Sequence, residues 1–126
     1  MLLSVDDAPL AGLVGQELDT VSFVRDYIEL RIDYSILRAL GPVAGLIGGI
    51  RWRLDDERGA DLLRRYIGRA VTTAEIIENE RISLVFGSDD RIDLSLKPED
   101  RVGPEAAHFV PARKDGRPDT AAMWIW

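Results

Sequence analysis

Residues 63–98 read LRRYIGRAVTTAEIIENERISLVFGSDDRIDLSLKP, and residues 10–42 read LAGLVGQELDTVSFVRDYIELRIDYSILRALGP. The two stretches follow one pattern. In each, a short apolar helical turn ends at glycine: Leu10, Leu13, Val14 and Gly15 match Leu63, Tyr66, Ile67 and Gly68 at an offset of 53. Leu18, Val21 and Phe23 match Val71, Ala74 and Ile76 at the same offset, and Ile28, Leu30 and Ile32 match Ile82, Leu84 and Phe86 at 54. Pro42 matches Pro98 at 56. The added residues fall in polar turns, where insertion is tolerated; a slip inside a strand would turn its apolar face outward.

Working outward, period-two alternation predicts strands over Glu17–Val24, Tyr27–Asp33 and Ser35–Gly41, and again over Ala70–Ile77, Arg81–Phe86 and Arg91–Leu96. Ile92, Leu94 and Leu96 are expected inward, with Asp93 and Ser95 outward. Pro9–Val14 reads as one helical turn with Asp6 or Asp7 to cap it, after a loose lead-in over residues 1–8. Between the copies, Pro42–Gly49 is a glycine-rich apolar connector, and Ile50–Leu54 alternates. A helix capped by Asp55 or Asp56 is expected to run to Ile67. Phe109–Val110 reads as a short strand. Met123–Trp126 reads as a strand that closes a sheet or an interface, because its two tryptophans carry a large apolar area.

A unit of one helical turn and three antiparallel strands cannot bury its own apolar face. The expected fold is therefore α+β and β-rich: antiparallel sheet or sheets built from two copies of a helical-turn–β–β–β unit with pseudo-two-fold symmetry, plus a C-terminal closing strand. The whole of residues 1–126 forms one domain. Repeat one covers 10–42, the connector and helix 43–67, repeat two 63–98 and the closing segment 104–126.

Composition bounds the function classes. With 46% hydrophobic and 30% charged residues, the chain has the balance of a globular protein rather than a disordered one. A net charge of −6 argues against nucleic-acid binding, which needs a basic surface. The absence of cysteine excludes disulfides, thiol nucleophiles and thiolate metal sites. Met1–Asp7 does not read as a secretory signal, and the longest uncharged run, Ala39–Ile50, is too short to span a bilayer as a helix. A soluble cytoplasmic protein with no membrane partner is expected.

No motif selects a catalytic, cofactor or metal site. His108 is the only histidine, and Glu105 precedes it at a spacing seen in helical metal sites, but one pair cannot complete a metal shell. Asp55-Asp56-Glu57 reads as a helix start, and Asp89-Asp90 and Glu99-Asp100 as solvated turns. Gly41–Gly49 lacks the lysine and hydroxyl residue of a phosphate loop. What remains is a candidate protein-contact surface of Val43, Leu46, Ile47, Arg51, Trp52 and Arg53, where apolar residues, arginine and tryptophan lie close together. Glu105 and His108 mark an alternative polar cleft.

The Leu13-Val14-Gly15 and Tyr66-Ile67-Gly68 starts, and the Trp124-Ile125-Trp126 end, resemble an uncharacterised family of small two-repeat β-rich proteins from high-GC bacteria. The likeness covers most of residues 10–126. It implies a small bacterial module, with an immunity or accessory role beside a toxin by association only. The expectation is thus a non-enzymatic protein-interaction module with an unidentified protein partner and no cofactor. One alternative is a small-molecule binder or hydrolase using a cleft between the repeats. Another is a structural homodimer in which an open edge pairs across a symmetry axis.

Overall fold

A computed structural model of the chain describes residues 5–126, with ten strands in two antiparallel five-stranded sheets. In chain order the strands are β1 (Leu18–Val24), β2 (Tyr27–Ile32), β3 (Ser35–Ala39), β4 (Val43–Ile47), β5 (Ile50–Arg53), β6 (Val71–Ile77), β7 (Arg81–Phe86), β8 (Asp90–Ser95), β9 (Ala107–Val110) and β10 (Trp124–Ile125). The helix α1 (Gly59–Arg64) precedes β6, and a 3-10 helix, Val5–Leu13, precedes β1. The first sheet runs β1-β2-β3-β9-β10 and the second β5-β4-β8-β7-β6. The architecture is α+β with antiparallel sheets, as the alternation predicts. Met1–Ser4 lie outside the described residues, as do the side chains of Asp6 and Asp7 on which the expected cap rests.

Alternation decides which side chains enter the core. Leu30, Ile32, Leu37 and Phe109 from the first sheet and Ile82, Leu84, Ile92 and Leu94 from the second belong to one buried cluster. Their burial from water is the main force holding the sheets together. Ile92, Leu94 and Leu96 all point inward as expected. Leu18 and Val21 are three residues apart, which breaks period two. The pairing of β1 with β2 absorbs the extra residue in a register shift between Leu18 and Thr20. The pairing of β6 with β7 has the same irregularity between Val71 and Thr73.

The two sheets meet where β1 and β6 begin. The Gly15 amide donates to the Val71 carbonyl at 2.8 Å, and the Gly68 amide donates to the Leu18 carbonyl at 2.7 Å. Leu18 and Val71 donate in turn to the carbonyls of Arg69 and Gln16, at 3.0 and 2.8 Å. Gly15 and Gly68 have φ of 87° and 90°, left-handed backbone that glycine adopts without strain.

Two expectations need correction. Residues 43–47 are not a connector. They form β4, which lies between β5 and β8 inside the second sheet, so the glycine-rich apolar run is a strand buried on one face. The helix is also shorter than expected. It spans Gly59–Arg64, and neither Asp55 nor Asp56 caps it. Asp56 instead accepts a hydrogen bond from the Arg53 amide at 3.1 Å, forming a tight turn after β5. Gly59 enters α1 directly against the Arg53 carbonyl, too close for any side chain.

The hairpins β4–β5 and β9–β10 occupy matching places. β4 pairs with β8 as Val43–Leu94, Ala44–Asp93, Gly45–Ile92 and Leu46–Arg91. β9 pairs with β3 as Ala107–Ala39, His108–Arg38, Phe109–Leu37 and Val110–Ile36. On the outer side, Trp52 pairs with Gly45 and Trp124 with Phe109. The first sheet therefore takes its outer two strands from the C-terminal part of the chain, and the second takes its outer two from the segment just before α1.

Candidate functional site

β4 sorts the candidate contact residues by face. Val43 and Ile47 point into the core, together with Trp52 of β5. Sequence proximity made these three look like a contact patch, but pleating turns them inward, and they are not available to a partner. Leu46, Arg51 and Arg53 point the other way and lie on the outward face of the second sheet. Leu46 is half-buried. Its cross-strand neighbours are Arg51 on one side and Arg91 on the other.

The next cross-strand row holds Arg53, Ala44, Asp93 and Ser83. Asp93 is engaged from two directions: the Ser83 hydroxyl donates to it at 2.5 Å and the Arg91 guanidinium lies 3.1 Å away. The Arg53 guanidinium pairs with Asp55 at 3.1 Å in the open, where such a pair contributes little to stability. The Ser95 hydroxyl donates to Asp100 at 2.6 Å. Arg91, Asp93 and Ser83 were not singled out in the sequence because they lie about forty residues from Leu46. Only strand order brings them together.

Ala44 has a short side chain, which leaves a depression at the centre of this face. Grooves of about 330, 400 and 310 Å³ meet there, all bordered by Ala44 and Arg53. Their walls carry both signs: Arg81 and Lys97 against Glu80 and Asp100 on one side.

Beneath the face, Tyr66 fixes β4 to β8. It is fully buried, and its hydroxyl lies 2.8 Å from both the Leu46 and the Arg91 carbonyls while accepting the Trp52 indole N–H at 3.0 Å. Burial pushes its pKa up from 10.0 to about 12. At the rim, Asp90 accepts from the Gly48 amide at 2.9 Å and from Arg69 at 2.7 Å. These bonds, the Gly48 amide first, hold its carboxyl below the usual range.

Glu105 and His108 do meet, through His108 Nε2 and a Glu105 carboxylate oxygen. They are not on a helix. Glu105 lies in the loop before β9, and His108 points outward from β9 beside Arg38, whose guanidinium binds Glu29 at 3.3 Å. The second acid there, Glu29, is already engaged by arginine, and the three grooves lie on the other sheet. Among the described residues no group of three or more histidine and acidic side chains is placed to hold a metal ion, and no helix is long and apolar enough to cross a membrane. Comparison of the chain with protein-family models, curated proteins and solved structures gave no match, so the resemblance drawn above stands on the quoted residues alone.

Proposed function

We propose that this chain is a protein-interaction module without catalytic activity of its own, acting through the outward face of the second sheet. The observation that carries this reading is Leu46, half-buried on the outward face of β4, with Arg51 and Arg91 as its two cross-strand neighbours and Arg53 in the adjoining row. An apolar centre rimmed by arginine is the composition of binding hot spots. An immunity or accessory protein is one form such a module takes. Affinity capture from the native host tests the reading. A protein retained by the wild type and lost at least tenfold in a Leu46→Glu, Arg51→Glu double variant supports it. Absence of any retained protein, or retention unaffected by the variant, rejects it.

The grooves that meet at Ala44 favour a second reading, a small-molecule site on the same face rather than at Glu105 and His108. Here Ala44→Trp would fill the depression and abolish ligand binding, whereas a broad protein contact would be only weakened.

We further propose that the scaffold is an internal duplication with a pseudo-two-fold axis. The match extends beyond the helical turn and three strands expected from sequence, to β4–β5 and β9–β10. The support is the reciprocal bonding of Gly15 with Val71 and of Gly68 with Leu18, the paired strand irregularities and the common register of the two outer hairpins.

A further inference from the structure

β10 is the outer strand of the first sheet, and among the described residues no strand pairs with its outer side. Trp126 and Ala107 exchange both of their backbone hydrogen bonds, at 2.9 and 3.3 Å. In an antiparallel ladder such bonded pairs alternate with unbonded ones. Ile125, opposite His108, is therefore an unbonded position, and its N–H and C=O point away from β9. The side chains around it are apolar and open: Trp124 and Ile125 are each 50% exposed, and Met123 is 36% exposed. Trp124 stacks on Trp126 with ring centres 6.4 Å apart.

An uncharged, apolar edge with free backbone groups is a template for another strand. β5, the corresponding edge of the second sheet, is guarded. Arg51 and Arg53 stand where β10 has Met123 and Ile125, and charged side chains discourage edge pairing. Thr120–Trp126 carries no charged side chain and no proline on a chain of net charge −6. Two copies can therefore meet along this edge without opposing charged side chains, which much of the remaining surface would impose.

We infer that β10 pairs antiparallel with β10 of a second copy of this chain, about a two-fold axis passing beside Ile125. Each Ile125 donates its N–H to the other's carbonyl. Trp124 lies opposite the partner's Trp126, so four indoles share one face and the ten strands of the two joined sheets run continuously. The contact is isologous and closed, giving a dimer rather than a fibre. It uses a different edge from the protein-contact face above and does not depend on it.

Sedimentation equilibrium of the full chain from about 1 to about 500 µM, the range of a small reversible interface, tests this. The expected mass rises from 14.1 kDa toward twice that value, with a blue shift of tryptophan emission in step. Trp124→Glu and Ile125→Lys should each raise the dissociation constant at least tenfold. Val102→Glu, which removes a 92% exposed apolar side chain in the loop before β9, outside the edge strand, should leave it unchanged. A mass of 14.1 kDa throughout overturns the inference. So does a dimer that survives Trp124→Glu and Ile125→Lys, or one that Val102→Glu weakens equally. Circular dichroism identifies a variant that fails to fold, and the other variant then decides.

Discussion

The hairpins β4–β5 and β9–β10 enter their sheets by the same register, yet one is built into the core and the other stands half outside it. Trp52 and Trp124 hold corresponding places, but Trp52 is 3% exposed and Trp124 is 50% exposed. The cause lies one strand inward. Trp52 pairs with Gly45, where an added Cβ would collide with the indole, so the ring occupies the space a side chain would have filled. Trp124 pairs instead with Phe109, which has a buried ring of its own where Gly45 has no side chain. A residue of the turn after α1 then covers Trp52: the Tyr66 ring centre lies 6.0 Å away, and its hydroxyl accepts the indole N–H. Backbone register fixes where a side chain starts. What stands opposite and above it decides whether it is buried.

Truncating the two tryptophans should show the largest difference. Trp52→Ala removes a fully enclosed ring and should cost about 3–5 kcal/mol. Trp124→Ala, measured at concentrations where the chain is monomeric, should cost under about 1 kcal/mol, because half of that ring already faces water. Denaturant unfolding of both variants checks this. Equal losses would break the comparison.

Gly45→Ala comes next. Its methyl group would press on the Arg91 carbonyl and the Trp52 ring together, inside a packed core that cannot expand freely. Overpacking of this kind costs about 1–3 kcal/mol. The variant should also raise Trp52 solvent exposure, read by fluorescence quenching, and so move β4–β5 toward the state of β9–β10.

Much of this architecture was legible in the sequence, for local reasons. Ile28, Leu30 and Ile32 alternate cleanly, and so do Ile92, Leu94 and Leu96; polar turns separate them. Such segments carry their own orientation. β4 was illegible because Val43–Ile47 is apolar with glycine at its centre. Composition alone does not separate a strand buried on one face from an apolar loop. Gly45 reads as flexibility until Trp52 is seen lying over it. The helix was overextended because Asp55 and Asp56 look like caps, whereas Arg53 engages both, one through its guanidinium and one through its amide. Half of the expected contact surface lies on the inner face of the sheet. Val43, Ile47 and Trp52 were grouped with Leu46, Arg51 and Arg53 by nearness along the chain, which ignores the pleat. Arg91 and Asp93 were out of reach, because no pattern in residues 43–53 states that β4 will lie beside β8.

Tyr66 supplies a sharper probe of β4–β5. Tyr66→Phe leaves the Trp52 indole N–H without its acceptor and takes a donor from the Leu46 and Arg91 carbonyls, at a cost of about 1–3 kcal/mol. The hydroxyl also imposes a pH dependence of known sign. Its folded pKa of about 12 lies above the ordinary value of 10.0, so folding favours the protonated form. That contribution is complete below pH 10 and is lost as pH rises from 10 through 12. Wild-type stability should therefore fall across this window, and Tyr66→Phe should remove most of the slope. A slope unchanged in the variant would assign the alkaline loss to other groups.

The smallest expected effect concerns how the two hairpins are tethered at their turns. The turn after β4 is tied to the sheet by Asp90, which accepts from the Gly48 amide and from Arg69. The loop between β9 and β10 is held by its own backbone: Asp119 donates to Pro111 at 2.8 Å and Arg113 to Arg117 at 2.7 Å. Asp115 also accepts from the Arg117 amide at 3.0 Å, but within that loop; only the first turn is tied to its sheet by a charged side chain. Because the Asp90 pKa is lowered by folding, its contribution is present above the ordinary carboxylate range and disappears as pH falls through the depressed value. Asp90→Asn should flatten that part of the acid limb and speed hydrogen exchange at the Gly48 amide severalfold, while the Asp119 amide keeps its rate. Equal acceleration at both amides would mean that the two turns open together, and that the asymmetry between the hairpins ends at their tryptophans.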